Sequence, residues 1–224
     1  HRSGIRMVYV VSRYAHGEFA DAIDTRPLLG MSVEFVSRLP LLRRFDDDIL
    51  MLPAHQLVDF NWEKIEGMYP KARSNDMTKL TTDSGDVACL SFHTQTGVAI
   101  PETWDDFSAF GTTLSIGSAT VLKIDSLAGY RSANFELLKG HCKHLFTAGR
   151  QAFSNLHVAP RASAPAKVMH GNRAYIGLNS RIADTARLYG DVVIGDDVFV
   201  DRHARITNSI ILDGTYIGAM TSVE

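Results

Sequence analysis

Cysteine is nearly absent: only Cys89 and Cys142 occur in 224 residues, and their separation fits no zinc or redox spacing. A disulfide framework is therefore excluded as the basis of the fold, and two reduced thiols in a cytoplasmic protein are the expectation. Charge of one sign is also missing. Lys and Arg number 23 against 25 Asp and Glu, for a formal net charge of -2. No Lys/Arg-rich block supplies a local footprint, so a nucleic-acid partner is not expected. No apolar run approaches the ~18 residues that a bilayer span needs, and the start carries no signal-peptide pattern. The Ser/His/Asp and Cys/His arrangements of nucleophilic catalysis do not occur in recognisable form. The remainder of the composition, 45% hydrophobic and 21% charged, is that of an ordinary globular chain.

What the chain does have is a repeat. Ile176, Ile182, Leu188, Ile194, Val200 and Ile206 fall at strict six-residue intervals, and Ser180, Ala186, Val192, Val198 and Ala204 stand four positions after the first five. Gly177, Ala183 and Gly195 directly follow three of the aliphatics. Neither a helix at period 3.6 nor a lone strand at period 2 produces this spacing. A parallel β-helix does: each unit is one short strand and a corner, the aliphatic points inward, and three units close a coil. The residue four positions on lies under a tight corner and must be small. After Ile206 the spacing slips, and Ile211, Ile217 and Val223 continue from a start five residues on, as one shortened corner would produce. The rival reading is an antiparallel sheet rich in Ile and Val.

The run resembles the hexapeptide-repeat, left-handed β-helix family. The resemblance implies the left hand, and the eighteen-residue turn implies about two and a half coils over Ile176 to Glu224. Ile182, Ile194, Val200 and Ile206 are expected inside. A β-helix ordinarily finishes in a capping element, whereas this repeat runs to Glu224, so a longer parent protein is expected. An uncapped last coil favours a homo-oligomer, a symmetric dimer first.

Ahead of the repeat, residues 5–11 read as a buried parallel strand, Pro27–Leu39 has apolar residues at helical spacing, and Ile49–Leu52 reads as a second buried strand. Trp62, Ile65, Met68 and Tyr69 predict a helix after Asp59, and Asp86–Phe92 and Ala119–Asp125 predict strands. Glu102–Phe110 reads as a helix opening, and Ser132–His144 as helix with Gly140 a weak interruption. Such alternation argues for an α/β domain over residues 1–152. A Pro, Ala and Ser-rich linker is expected over 153–170, then the β-helix over 171–224.

Two segments carry a wider resemblance. Asp48–Ile65 (DILMLPAHQLVDFNWEKI) and Ile124–Gly140 (IDSLAGYRSANFELLKG) look like parts of the sugar-1-phosphate nucleotidyltransferases, or NDP-sugar pyrophosphorylases. The resemblance implies a degenerate nucleotidyltransferase-like, Rossmann-like domain. It also implies attack of a sugar 1-phosphate on a nucleoside triphosphate with release of pyrophosphate, assisted by Mg²⁺ if the chain is active. In the family a carboxylate at the turn after an apolar strand helps hold the metal; here His55 stands in that place. Neutral imidazole is a poor ligand for hard Mg²⁺. In the second segment Tyr130, Ala133, Asn134 and Leu138 match the family, and a metal-binding Asp precedes them. An ungapped count puts Lys123 there, and a shift of two puts Asp125 there. The family's Gly-rich loop and its phosphate-contacting Lys have no match in SRYAHGEFADAIDTRPLL (Ser12 to Leu29), where Gly17 is the sole glycine.

Other candidates have bland readings beside sharp ones. His141 and His144, three apart on one expected helix, lack a carboxylate at ligand spacing. Asp46 to Asp48 more simply end a loop than bind a cation. His203 sits at a β-helix corner, where hexapeptide acyltransferases place a general base, although a solvated histidine is the commoner case. The expected function is a nucleotidyltransferase-like protein of nucleotide-sugar or polysaccharide metabolism, degenerate in catalysis, with a nucleotide or sugar phosphate as its candidate ligand. The alternatives are a hexapeptide-repeat acyltransferase and a non-enzymatic assembly or regulatory module.

Overall fold

A computed structural model describes residues 7–11, 32–36, 48–72, 77–91, 112–145, 150–153 and 155–224. The chain divides into two compact units, one of residues 1–54 and 60–119, the other of 55–59 and 120–224. The helix opening expected at Glu102–Phe110 and the loop over Ser12 to Leu29 lie outside the described residues, as do Asp46 and Asp47.

In the first unit Met7–Val11 (β1) pairs in parallel with Ser32–Val36 (β2), register Met7↔Ser32 to Val11↔Val36. The parallel strand expected at the start is therefore present but not buried as expected: Val8, Tyr9 and Val10 are half-buried, and Met7 and Val11 are 44% and 42% exposed. The helical spacing read over Pro27–Leu39 does not hold at β2. Val33, Phe35 and Val36 favour extended backbone, and the ladder to β1 outweighs an approximate period.

Ile49–Met51 (β3), Met77–Thr82 (β5), Gly85–Ser91 (β6) and Thr112–Ser115 (β7) form a sheet in the order β3-β6-β5-β7. Its pairs are antiparallel except β5 with β7. The predicted helix is Trp62–Ala72 (α1); its first turn is capped by Asn61, whose Oδ1 accepts the Lys64 N–H at 3.2 Å. Ile65, Met77, Leu80, Val87, Ala88 and Ile116 are buried.

The second unit begins with Gln56–Asp59 (β4) antiparallel to Thr120–Lys123 (β8). Helix α2 follows, Leu127–Leu138, with Ser126 as its N-cap accepting the Gly129 N–H at 3.0 Å. Gly140 terminates this helix rather than interrupting a longer one. At φ +76 it takes the left-handed C′ position, its N–H reaching the Leu137 carbonyl at 2.9 Å and the His141 N–H the Glu136 carbonyl at 3.2 Å.

The repeat builds three parallel sheets that receive strands in rotation. Leu156–Val158 (β10), Arg173–Ile176 (β11), Asp191–Ile194 (β14) and Ile210–Ile211 (β17) form the first, with Arg150–Phe153 (β9) antiparallel at its start. The second is Arg181–Ile182 (β12), Phe199–Val200 (β15) and Tyr216–Ile217 (β18). The third is Arg187–Tyr189 (β13), Arg205–Thr207 (β16) and Ser222–Val223 (β19). A succession of this kind is β-helix-like, and the antiparallel rival is set aside by the parallel pairing within the coils.

Register confirms the slipped corner. Ile176 pairs with Ile194, Ile182 with Val200 and Leu188 with Ile206, eighteen residues apart. Thereafter Ile194 pairs with Ile211, Val200 with Ile217 and Ile206 with Val223, seventeen apart. Ile182, Ile194, Val200 and Ile206 are all buried, as are Ser180, Ala186, Val192, Val198 and Ala204 beneath the corners. Ser180, the polar member, is satisfied: its hydroxyl donates to the Gly195 carbonyl at 2.7 Å and accepts the Val198 N–H at 2.8 Å.

The coils begin earlier than the hexads suggest. Leu156 and Val168 are fully buried in the same core, and β10 pairs with β11. Ser163 and Met169 form bridges to Arg181 and Leu188. The stretch read as a linker thus contributes an irregular first turn. Among the described residues no helix is long and apolar enough to cross a membrane.

Candidate functional site

The two segments that carry the nucleotidyltransferase resemblance meet. Gln56 pairs with Lys123, Leu57 with Leu122 and Val58 with Val121, and the ladder runs one step further because the Ile124 N–H donates to the His55 carbonyl at 2.7 Å. His55 occupies a turn, and its side chain and those of Lys123 and Asp125 are exposed. Asp125 Oδ1 accepts from the Ser126 hydroxyl at 3.3 Å, and Ser126 caps α2. Gly129 closes this corner tightly: a β-carbon there would lie 2.6 Å from the Lys123 carbonyl oxygen and 3.3 Å from Asp125 Oδ1. Beside His55, the buried Gln56 Oε1 has no hydrogen-bond partner among the described residues, while its Nε2 lies 3.5 Å from His55 Nε2.

The donor set decides whether Mg²⁺ suits the corner. Six oxygen ligands at octahedral geometry are its requirement, with carboxylates carrying the charge. Here one carboxylate, Asp125, stands with an imidazole and the ammonium of Lys123, so these residues do not fit the ion. Among the described residues no group of three or more His, Cys, Asp or Glu side chains is arranged around a common centre.

At the other end of β4 a carboxylate that sequence reasoning did not single out is firmly held. Asp59 is 5% exposed and accepts the Lys143 N–H at 2.7 Å and the His144 N–H at 2.8 Å. Its partners lie more than eighty residues along the chain, so no local signal marked it. Cys142 next to them is buried, and burial first, then the charges of Asp59 and Glu136, push its thiol pKa up. Both effects disfavour the thiolate, the nucleophilic form of the group.

His141 and His144 do not share a helix face, because α2 ends before both. His141 Nδ1 instead meets Glu136 Oε2 at 2.5 Å, and the backbone of His144 serves Asp59. The Glu136 carboxyl is held below its ordinary pKa by the His141 hydrogen bond and then by that of Lys139, whose Nζ lies 2.9 Å away. Asp48, the described member of the acidic run, is half-buried just ahead of β3. His203 lies at a corner with φ +59, exposed, its backbone N–H donating to Thr185 Oγ1 at 3.2 Å. The left-handed backbone is the reason for a residue of this kind there: Asn179, Asp197 and Asn208 occupy other corners at φ +57, +54 and +46. No family model matches this chain, and no curated protein matches it.

Proposed function

We propose that the chain is a nucleotidyltransferase-like protein in which a degenerate α/β domain precedes a left-handed parallel β-helix, and that it does not carry out nucleotidyl transfer. The observation that carries this reading is the Ile124–His55 hydrogen bond. It brings together two segments, far apart in sequence, that resemble the metal-holding segments of the sugar-1-phosphate nucleotidyltransferases. The same corner speaks against catalysis. Neutralising the charge that develops on phosphate and positioning the attacking oxygen dominate such reactions. His55 and Lys123 bring no anionic oxygen to that task, and Asp125 alone leaves a hard cation mostly hydrated. What remains is a scaffold fit for binding or assembly, with a nucleotide or a sugar phosphate as the ligand class that the resemblance suggests.

A Mn²⁺ titration followed by paramagnetic broadening tests the corner. The expected result is no saturable broadening of His55, Ile124 or Asp125 resonances in the low millimolar range. Saturable broadening there that disappears in Asp125→Asn would contradict the reading.

A further inference from the structure

The second sheet of coils carries an unusual outward column. Arg181, Phe199 and Tyr216 are in register on successive coils, and Phe199 and Tyr216 are 43% and 63% exposed. Their rings stack, with centroids 5.7 Å apart and planes 15° apart. The Tyr216 hydroxyl donates to Asp201 Oδ2 at 2.9 Å, which anchors the far end of the stack. Aromatic rings on a solvent-facing sheet forfeit apolar burial, so a pair held in order there invites an apolar or flat partner.

Beside the column, Arg161, Asn179 and Asp197 follow one another at a corner, eighteen residues apart, with φ +61, +57 and +54. With Arg181, Val198 and Phe199 they line an open groove of about 500 Å³. Asp197 Oδ1 is occupied by the Asn179 side-chain amide at 3.0 Å. Arg161 and Arg181 have no carboxylate within ion-pair distance among the described residues. The groove is therefore lined by two arginines, a phenylalanine and one carboxylate, Asp197, with one oxygen held by a neutral amide.

We propose that this groove binds a small oxyanion joined to a flat ring, such as an aryl or nucleoside monophosphate. The ring stacks on Phe199, and the anion takes the guanidinium groups of Arg161 and Arg181. Guanidinium forks match phosphate and carboxylate oxygens in pairs, while ring stacking tolerates many ring identities. Each half alone is weak in water, so the class of ligand is one that presents both. The groove shares no residue with the His55–Asp125 corner, and the inference stands apart from the nucleotidyltransferase reading.

NMR titration of the full 224-residue chain with phenyl phosphate and with adenosine 5′-monophosphate tests it, against inorganic phosphate, adenosine and glucose 1-phosphate. Both ring-bearing phosphates should shift Arg181 and Phe199 resonances saturably, at least tenfold more tightly than the three comparison compounds. Phe199→Leu and Arg181→Gln, which keep outward side chains of similar length, should each weaken binding about tenfold, the scale of one lost stacking or charge-assisted contact. Arg205→Gln on the third sheet should leave it unchanged. Equal affinity for inorganic and phenyl phosphate would overturn the proposal. So would nucleotide binding that survives both groove variants, and that result would leave the reading of the His55 corner untouched.

Discussion

The Ile124 amide donates to the His55 carbonyl at 2.7 Å, one step beyond the last pair of the β4–β8 ladder. That bond places a histidine turn against a Lys-Ile-Asp strand end, and the tight approach of Gly129 holds the strand end to the first turn of α2. A corner so constrained is well suited to presenting side chains at a fixed spacing. Its side chains, however, are those of a cation and an imidazole beside one carboxylate.

Replacing Ile194 tests the coil interior. It is fully buried, between Ile176 and Ile211 in the first sheet. Ile194→Ala should cost about 2–5 kcal/mol by removing apolar contact and leaving a cavity. Ile194→Asp, which puts an unpaired charge in a dry interior, should abolish the cooperative unfolding transition. Urea denaturation reads both, and a wild-type midpoint for Ile194→Asp would refute the assigned interior.

The small corner residues differ in what they tolerate. A β-carbon at Gly177 would collide with the carbonyl of Gly195 on the next coil, whereas at Gly214, with φ +67, it would meet open space. Gly177→Ala must push coils apart and should cost about 1–3 kcal/mol. Gly214→Ala bears only the left-handed backbone penalty, about 1–2 kcal/mol. Expansion between coils should accompany the first alone, visible as lost amide protection at Gly177 and Gly195 in hydrogen exchange. Equal protection in the two variants would refute the distinction.

Much of this architecture was legible in the hexads, because a coil of fixed circumference imposes its period on every inward residue, and a shortened corner appears directly as a slip at Ile211. The first coil was not. Its buried residues, Leu156, Ala159 and Val168, are spaced irregularly around Pro160 and Pro165, and turn-forming composition there looks the same as a linker. Strand β2 was misread because five extended residues inside a longer apolar stretch match a helical period by accident. At the candidate site the strand leading to Asp125 was legible from its own apolar, β-branched residues, but its pairing with Gln56–Asp59 was not. The role of Asp59 was not, since its two donors are fixed only when α2 and the turn after it fold back on β4.

Asp59 should matter for stability and for its neighbour's chemistry. Asp59→Asn leaves one of the two backbone donors without its carboxylate acceptor and should cost about 1.5–3 kcal/mol. Removing the negative charge should also lower the Cys142 thiol pKa, since that charge is the second cause of its rise, while burial still holds it above the ordinary value. Peptide-resolved alkylation as a function of pH measures the shift. An unchanged profile in a folded variant would count against the contact.

Glu136 predicts a direction for pH dependence. Its folded pKa is depressed by His141 and Lys139, so its contribution is present above the ordinary carboxyl range and is lost as pH falls through the depressed value. The group is partly solvated, so the effect should be under about 1 kcal/mol. Glu136→Gln should accordingly destabilise the chain near neutrality and converge with wild type in acid. A constant difference across the titration would contradict this.

Pyrophosphate release from a panel of nucleoside triphosphates and sugar 1-phosphates, with Mg²⁺ in excess, tests the central claim most directly. The account predicts a rate indistinguishable from a reaction without protein. A rate clearly above that background, lost on replacing Asp125 with Asn, would contradict it and return the His55–Asp125 corner to the catalytic machinery.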